Sequence, residues 1–463
     1  MKEKIYFTFL LLLSIISIYS GSSLKLIFFG TFLVFYIFSK KDFLYIIFVF
    51  LAIQYPGGLF YPPHDAFIEI GTNGVSFSFV FILTGFFKYL FLDKRRLKIL
   101  YPFKNINWIL LYSLFLVLIS LFIGVASFNT LSKLFKTFVS LLFYIIIIRE
   151  FKNKQSFIQF ISLFFFVTII LFVWQLHDIV FTRKIASFFG ITEFQSISLE
   201  FGLEDGRLIR VFYAPYFSFL TLLFSLYFLL NKNIKRFSKK YLIFLASISL
   251  ISMLLTGTRG YSLQYIFVFI VFLFLSSRQS LIVIPSIILI LWIAALVFPI
   301  FEKQIDLSTE RLSTVLDFVK GDVTADNTLV RFTQRAPKVW NKYIEKPFFG
   351  FGYSHEGRDY NDDHVGNVTI FLQSGILGVT IYLMVLISIF LKIYNRILNT
   401  GKKKENLLIF AGVFSLIIAH STSSTVFSYY FEPHIICIFG ILLGFIKIFL
   451  FNIEERTDNQ NVQ

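Results

Sequence analysis

Charge is scarce in this 463-residue chain: Asp, Glu, Lys and Arg together make up only 15% of it, where soluble globular domains carry about 25%. With 57% hydrophobic residues and 65 phenylalanines, and a mean hydropathy of +0.76, that scarcity excludes a water-soluble globule. Alternation is missing too. The apolar runs are continuous, which excludes a transmembrane barrel. There is a single cysteine, Cys437, inside an apolar run, so no intrachain disulfide and no cysteine-based metal site can form. No G-x-x-x-x-G-K-[ST] loop, no G-x-G-x-x-G turn and no G-x-S-x-G elbow occurs, so the chain carries no sign of nucleotide hydrolysis. Energy for any reaction has to come from the substrate or from a gradient. Neither a short repeat nor a Ser/Pro linker interrupts the chain, which reads as one membrane domain, residues 1–463.

What is present is apolar runs of bilayer length. Length and flanking charge predict an all-α, polytopic integral membrane protein with about 14 transmembrane helices. They fall within 5–20, 24–39, 43–55, 75–92, 107–126, 133–150, 157–177, 211–231, 241–257, 261–277, 280–301, 366–394, 407–425 and 434–451. The first follows a basic start like a signal-peptide core but lacks a small-x-small cleavage site, so it is kept as a span. The net charge of +16 does not point to nucleic acid, because the cations gather in short loops. Lys40-Lys41, Lys94–Lys98, Lys152/Lys154, Lys232–Lys240, Arg278 and Lys402–Lys404 share one side, which the positive-inside rule makes cytoplasmic, together with both termini. The polar tail 452–463 reads as disordered.

The opposite side carries the long connections 56–74, 178–210 and, above all, 302–365. The last is far longer than a helix-to-helix connector and becomes a candidate functional loop, periplasmic by the charge rule. Within it, Asn327–Ile344 reads as an amphipathic helix, with Leu329, Phe332, Val339 and Tyr343 on one face. Arg331, Arg335, Lys338 and Lys342 form a basic stripe on another. Such a helix is expected to lie along the membrane surface, its stripe meeting either lipid headgroups or an anionic substrate. Pro337 either kinks it or marks where a second helix starts.

Chemistry concentrates around the stretch Pro347–Gly378. It opens as a turn (PFFGFG), becomes polar and acidic through Arg358, Asp362 and Asp363, and reaches His364 at the mouth of an apolar run. An imidazole between water and membrane suits proton transfer; a polar cap on a transmembrane helix is the plainer alternative. His64, His177, His420 and His434 compete with it. Asp362-Asp363-His364 lacks further ligands at helical spacing, so no metal is expected. Arg259, flanked by Gly257 and Gly260 at the outer end of a span, offers a planar fork of donors for a diphosphate; the alternative is snorkelling to headgroups. Arg207 and Arg210 stand at the same level, before Pro215, and either bind the same anion or pair with Glu200, Glu204 or Asp205.

Taken in order, these elements resemble the O-antigen polymerase and O-antigen ligase superfamily of bacterial inner membranes. Thr256-Gly257-Thr258-Arg259-Gly260 matches its T-[GS]-[ST]-R-G-type span end. Residues 302–365 match its large periplasmic loop, with Arg331, then the P-x-x-G-x-G of Pro347, Gly350 and Gly352. His364, Gly375 and Gly378 match the histidine and glycine pair of the next span. Arg207, Phe212 and Pro215 match an upstream element for which Arg210 is the rival arginine. One departure is Val365, where the family often has Asn directly after the histidine. The resemblance covers roughly Arg207–Gly378. It implies a metal-independent glycosyltransferase without cofactor, acting in lipopolysaccharide biosynthesis at the inner membrane on undecaprenyl-diphosphate-linked glycans. Membrane lipids and a chain-length regulator protein are further implied partners. Arg259 and His364 would be catalytic. Arg207, Arg210, Arg331, Arg335, Arg358, Asp362 and Asp363 would bind substrate. Polymerase is preferred over ligase on composition alone. A transporter of lipid-linked oligosaccharide is the reading from another class, against which the ionisable residues collect at the outer surface rather than the midplane.

Overall fold

The computed structural model describes residues 107–124, 154–180, 215–231, 236–255, 259–276, 331–362, 365–399, 403–423 and 433–451, with short pieces of 33–38, 68–88, 200–209 and 282–313. Nearly all of them are helical. The long helices are α1 (Asn107–Ile123), α2 (Lys154–Val180), α3 (Pro215–Leu230), α4 (Lys239–Leu254) and α5 (Arg259–Leu275). After the large loop come α8 (Gly366–Leu398), α9 (Lys403–Ser423) and α10 (Pro433–Phe449). The loop contributes α6 (Ala336–Tyr343), preceded by a π-helical turn at Arg331–Arg335, and a single turn, α7 (His355–Arg358).

Each long helix stands where an apolar run was expected, within a few residues at either end. Two of them contain stretches long and apolar enough to cross a membrane, Phe157–His177 and Val368–Leu398. The expected segments 5–20, 24–39, 43–55, 75–92, 133–150 and 280–301, and the tail 452–463, lie largely outside the described residues. Among the described residues, strand pairing is confined to two short antiparallel ladders, Ile68–Ile70 with Asn73–Val75 and Glu200–Phe201 with Leu208–Ile209. Both fall in connections assigned to the outer side.

The bundle is organised around α3. Its sequence is apolar over the whole circumference, so no face is left for solvent, and every residue from Phe217 to Phe228 is buried. It packs against α2, α4, α5, α9 and α10. Phenylalanine fills these contacts with ring against ring: Phe164 stacks on Phe217 at 3.7 Å between centroids, and Phe224 on Phe445 at 4.7 Å. Hydroxyls and amides fix the register where apolar side chains alone would let helices slide. The Thr168 and Thr221 hydroxyls share a hydrogen bond of 2.6 Å between α2 and α3. Gln175 donates from Nε2 to the Ser252 carbonyl at 2.8 Å and accepts the Ser252 hydroxyl, joining α2 to α4. At the far end of α8, Arg396 Nε donates to the Leu450 carbonyl at 2.8 Å, holding that end against α10.

Candidate functional site

The apolar run that begins after His364 forms one helical rod with a break. At Gly375 the backbone turns to φ +58°, ψ −170°, so the ladder of α8 is interrupted. A continuous helix would bond the amides of Ile376 and Leu377 to the carbonyls of Leu372 and Gln373. Here all four groups are taken up by the PFFGFG turn. Phe351 N–H donates to the Leu372 carbonyl and Gly352 N–H to the Gln373 carbonyl, each at 2.7 Å. Ile376 N–H donates to the Pro347 carbonyl at 2.9 Å, and Leu377 N–H to the Phe348 carbonyl at 3.2 Å. The turn is inserted into the helix as a backbone plug. All four groups released by the break are thus paired, as apolar surroundings require.

The plug explains why glycines stand where they do. A Cβ on Gly350 (φ +72°) would lie 2.6 Å from the Gly375 nitrogen and 2.7 Å from the Gln373 carbonyl. A Cβ on Gly375 would meet the Phe348 carbonyl and lie 2.6 Å from the Phe349 nitrogen. Backbone passes backbone at van der Waals distance, and only glycine permits it. Beyond the plug, Tyr353 N–H donates to Ser120 Oγ of α1 at 2.8 Å, so the turn also bridges α1 and α8.

α6 closes the other side. Pro337 sits in its first turn, directly after the π-helical turn Arg331–Arg335, so it marks the point where π-helical geometry gives way to α. Val339 and Tyr343, on the face expected to lie on the membrane, are instead buried with Phe351, Val365 and Leu372 in a small core between α6, the turn and α8. The lysines fold back over it. Lys342 Nζ lies 4.8 Å from the Phe351 ring centre and 5.3 Å from that of Tyr360, and Lys338 Nζ lies 5.6 Å from Tyr360. Lys342 pairs with Glu345 at 2.5 Å, which raises its pKa. Lys346 pairs with Glu356 at 2.9 Å, and that hydrogen bond holds the Glu356 carboxyl below its ordinary range.

The polar segment before His364 is fastened to the first half of α8. The Thr369 hydroxyl donates to the Asp362 carbonyl at 2.7 Å and faces the Asp362 amide at 3.4 Å. Gln373, fully buried, donates from Nε2 to Asn361 Oδ1 at 3.1 Å. Val365 N–H returns to the Asp362 carbonyl at 3.2 Å. Asp362 in turn reaches Arg335 at 3.5 Å, with side chains 24% and 43% exposed, so this pair is open to water and to an incoming ligand.

Of the expected site residues, the structure therefore brings Arg335 and Asp362 together. Arg259 is the first residue of α5, Arg331 the first of the π-helical turn and Arg358 the last of α7; their side chains lie outside the description. Arg207, Arg210, Asp363 and His364 lie outside the described residues. Sequence reasoning missed Ser120, Thr369 and Gln373. Thr369 and Gln373 carry a signal only in hindsight: two polar residues spaced i, i+4 at the polar end of an apolar helix.

The family model described as O-antigen ligase matches residues 242–383, from within α4 to just past the break in α8. The match bears out the resemblance to the O-antigen ligase and polymerase superfamily over just under a third of the chain. Arg259, the plug and the whole segment up to Gly378 fall inside it; Arg207 and Arg210 fall outside. No curated protein matches the chain.

Proposed function

We propose, from the match of residues 242–383 to the O-antigen ligase family, that this chain is an O-antigen-type polysaccharide polymerase of the bacterial inner membrane. It would cross the bilayer about 14 times, with both termini in the cytoplasm and residues 302–365 in the periplasm. The observation that carries the reading is the fastening of Asn361, Asp362 and Val365 around the start of α8 inside the matched segment. It sets a polar, partly open cluster on the mouth of an apolar helix, where a lipid-linked sugar presents its head.

The donor in this reading is a glycan on undecaprenyl diphosphate, and the acceptor a hydroxyl of another lipid-linked repeat unit. The acceptor oxygen bonds to the anomeric carbon as the bond from that carbon to the diphosphate oxygen breaks. The diphosphate leaves with the electron pair, and Arg259 balances the charge that grows on it. His364 takes the acceptor's proton, a role typically worth about 10²–10⁴-fold in rate. Arg335 and Asp362 contact the sugars, with Arg207, Arg210, Arg331, Arg358 and Asp363 as further substrate contacts. No metal takes part in this scheme.

The description of the matching family favours a second reading, transfer of finished polymer to a lipopolysaccharide core. The lipopolysaccharide pattern of a strain lacking the protein separates the two. Core capped with a single repeat unit is the expected result for a polymerase. Bare core with lipid-linked polymer accumulating assigns a ligase, and an unchanged pattern refutes both.

A further inference from the structure

α6 has two apolar stripes, one buried in the protein and one only partly covered: the Trp340 ring meets Tyr343 and Phe371 but keeps an exposed side. Val339 and Tyr343 are buried, whereas Trp340 and Ile344, one position further round, are 43% and 56% exposed. Next to them the plug holds out two more large side chains, Phe348 (65% exposed) and Phe349 (56%). The backbone of Pro347 and Phe348 is bonded to Ile376 and Leu377, themselves 46% and 44% exposed. Six large exposed apolar side chains thus stand on three segments that meet at the break in α8, far more than the scattered single residues that an aqueous surface carries.

The lower part of α8 says what covers this patch. Below the break, Leu383, Met384, Ile387 and Leu391 are also exposed, and they continue Ile376 and Leu377 along one side of the helix. This side belongs to a segment long and apolar enough to cross a membrane. About 20 residues, or roughly 30 Å at the helical rise, separate Ile376 from Arg396, which is the thickness of the hydrocarbon core. With Arg396 at one boundary, Ile376 and the plug stand at the other. The exposed phenylalanines of the loop therefore continue a hydrocarbon-facing stripe rather than project into water.

We propose that Phe348, Phe349, Trp340 and Ile344 form a wedge inserted into the hydrocarbon of the outer leaflet, anchoring the loop to the bilayer at the break in α8. The occupant of this surface is lipid chain, not a second protein. The wedge uses the stripe of α6 next to the expected one: Val339 and Tyr343 hold the helix to the protein, and Trp340 and Ile344 hold it to the membrane. The consequence is fixed depth. Asn361 and Asp362, tied to α8 just before the break, are kept at the membrane boundary. The inference rests on α8 being a span and not on the chemistry proposed for His364.

Depth measurement tests it. Starting from Cys437→Ser, single cysteines are introduced as Phe348→Cys, Phe349→Cys and Ile344→Cys, with Ile387→Cys as a mid-span reference and Glu356→Cys as an aqueous one. Each full-length protein is nitroxide-labelled in vesicles of phosphatidylethanolamine and phosphatidylglycerol. Collision with dissolved oxygen is then compared with collision with a water-soluble nickel chelate. The expected result is that oxygen dominates at 344, 348 and 349, as at 387, and that the order inverts at 356. Nickel dominance at 348 and 349 places the patch in water and overturns the proposal. Protection from both reagents means that protein covers the patch and overturns it equally. Should the phenylalanine-to-cysteine proteins fail to insert, Phe348→Trp read by brominated-lipid quenching against its parent serves instead, with absence of added quenching as the refuting result.

Discussion

Replacing Gly375 by alanine sets two structures of α8 against each other. In the native one the backbone at 375 sits at φ +58°, ψ −170°, a region that is essentially glycine's alone and costs another residue about 1–3 kcal/mol. The new Cβ would also press on the Phe348 carbonyl, so the plug has to retreat and loses the bonds from Ile376 and Leu377. Each such bond is worth about 0.5–1.5 kcal/mol net. Alanine further favours a continuous helix by about 1 kcal/mol over glycine. A straightened α8 recovers its own ladder, but leaves the carbonyls of Pro347 and Phe348 and the amides of Phe351 and Gly352 without partners. The native plug should therefore weaken by about 3–7 kcal/mol, which is about 10²- to 10⁵-fold in its opening equilibrium. Amide exchange at Phe351 and Gly352, followed by mass spectrometry in nanodiscs, reads that factor directly. Glycan synthesis should fall with it, since Asn361 and Asp362 lose their support. Native exchange at both amides together with native synthesis would refute the plug as the element that positions the loop.

Thr369→Val removes the hydroxyl that binds Asp362 at nearly constant volume. It should lower the turnover of a purified enzyme on polyprenyl-diphosphate repeat units roughly 10- to 100-fold, as a displacement of about 1 Å does, while Thr369→Ser restores most of it. Arg259→Ala should abolish polymer at normal protein level, and Arg259→Lys should recover only part, because charge remains but the bidentate fork does not; full activity in the alanine protein would make this arginine a headgroup contact. The Glu356 carboxyl is depressed by Lys346, so the pair supports the loop above the ordinary carboxylate pKa and loses that support as pH falls through the lower folded value. Proteolysis of the loop in the Glu356→Gln protein should accordingly lose the acid dependence seen in the parent, with a small amplitude because both groups are exposed.

The long helices were legible in the sequence because hydropathy over a bilayer length leaves little choice, and α3 shows why: a helix apolar all round can only be central. The break in α8 was not, since an isolated glycine within an apolar run reads as a tolerated helix residue. What makes Gly375 a break is a partner more than 20 residues earlier in the chain, and hydrogen bonds between main-chain groups leave no side-chain pattern. The glycines at 350 and 352 were visible as a turn, but not as the part that enters the helix. α6 carries the same lesson at shorter range. Val339 with Tyr343 and Trp340 with Ile344 are both i, i+4 pairs, one residue apart, so periodicity marks an amphipathic helix without saying which apolar face meets protein. The basic stripe was equally undecided, because Asp362, which takes up the charge of Arg335, reaches it only through the folding of the loop, whereas Lys342 pairs locally with Glu345. With Lys342 and Lys346 paired to glutamates, the cation most exposed to a ligand among these pairs is Arg335, held at the rim by Asp362. A substrate carrying negative charge would have to compete with that carboxylate, so neutralising Asp362 should free the arginine rather than disable it, while the Thr369 anchor, which binds only the Asp362 backbone, stays in place.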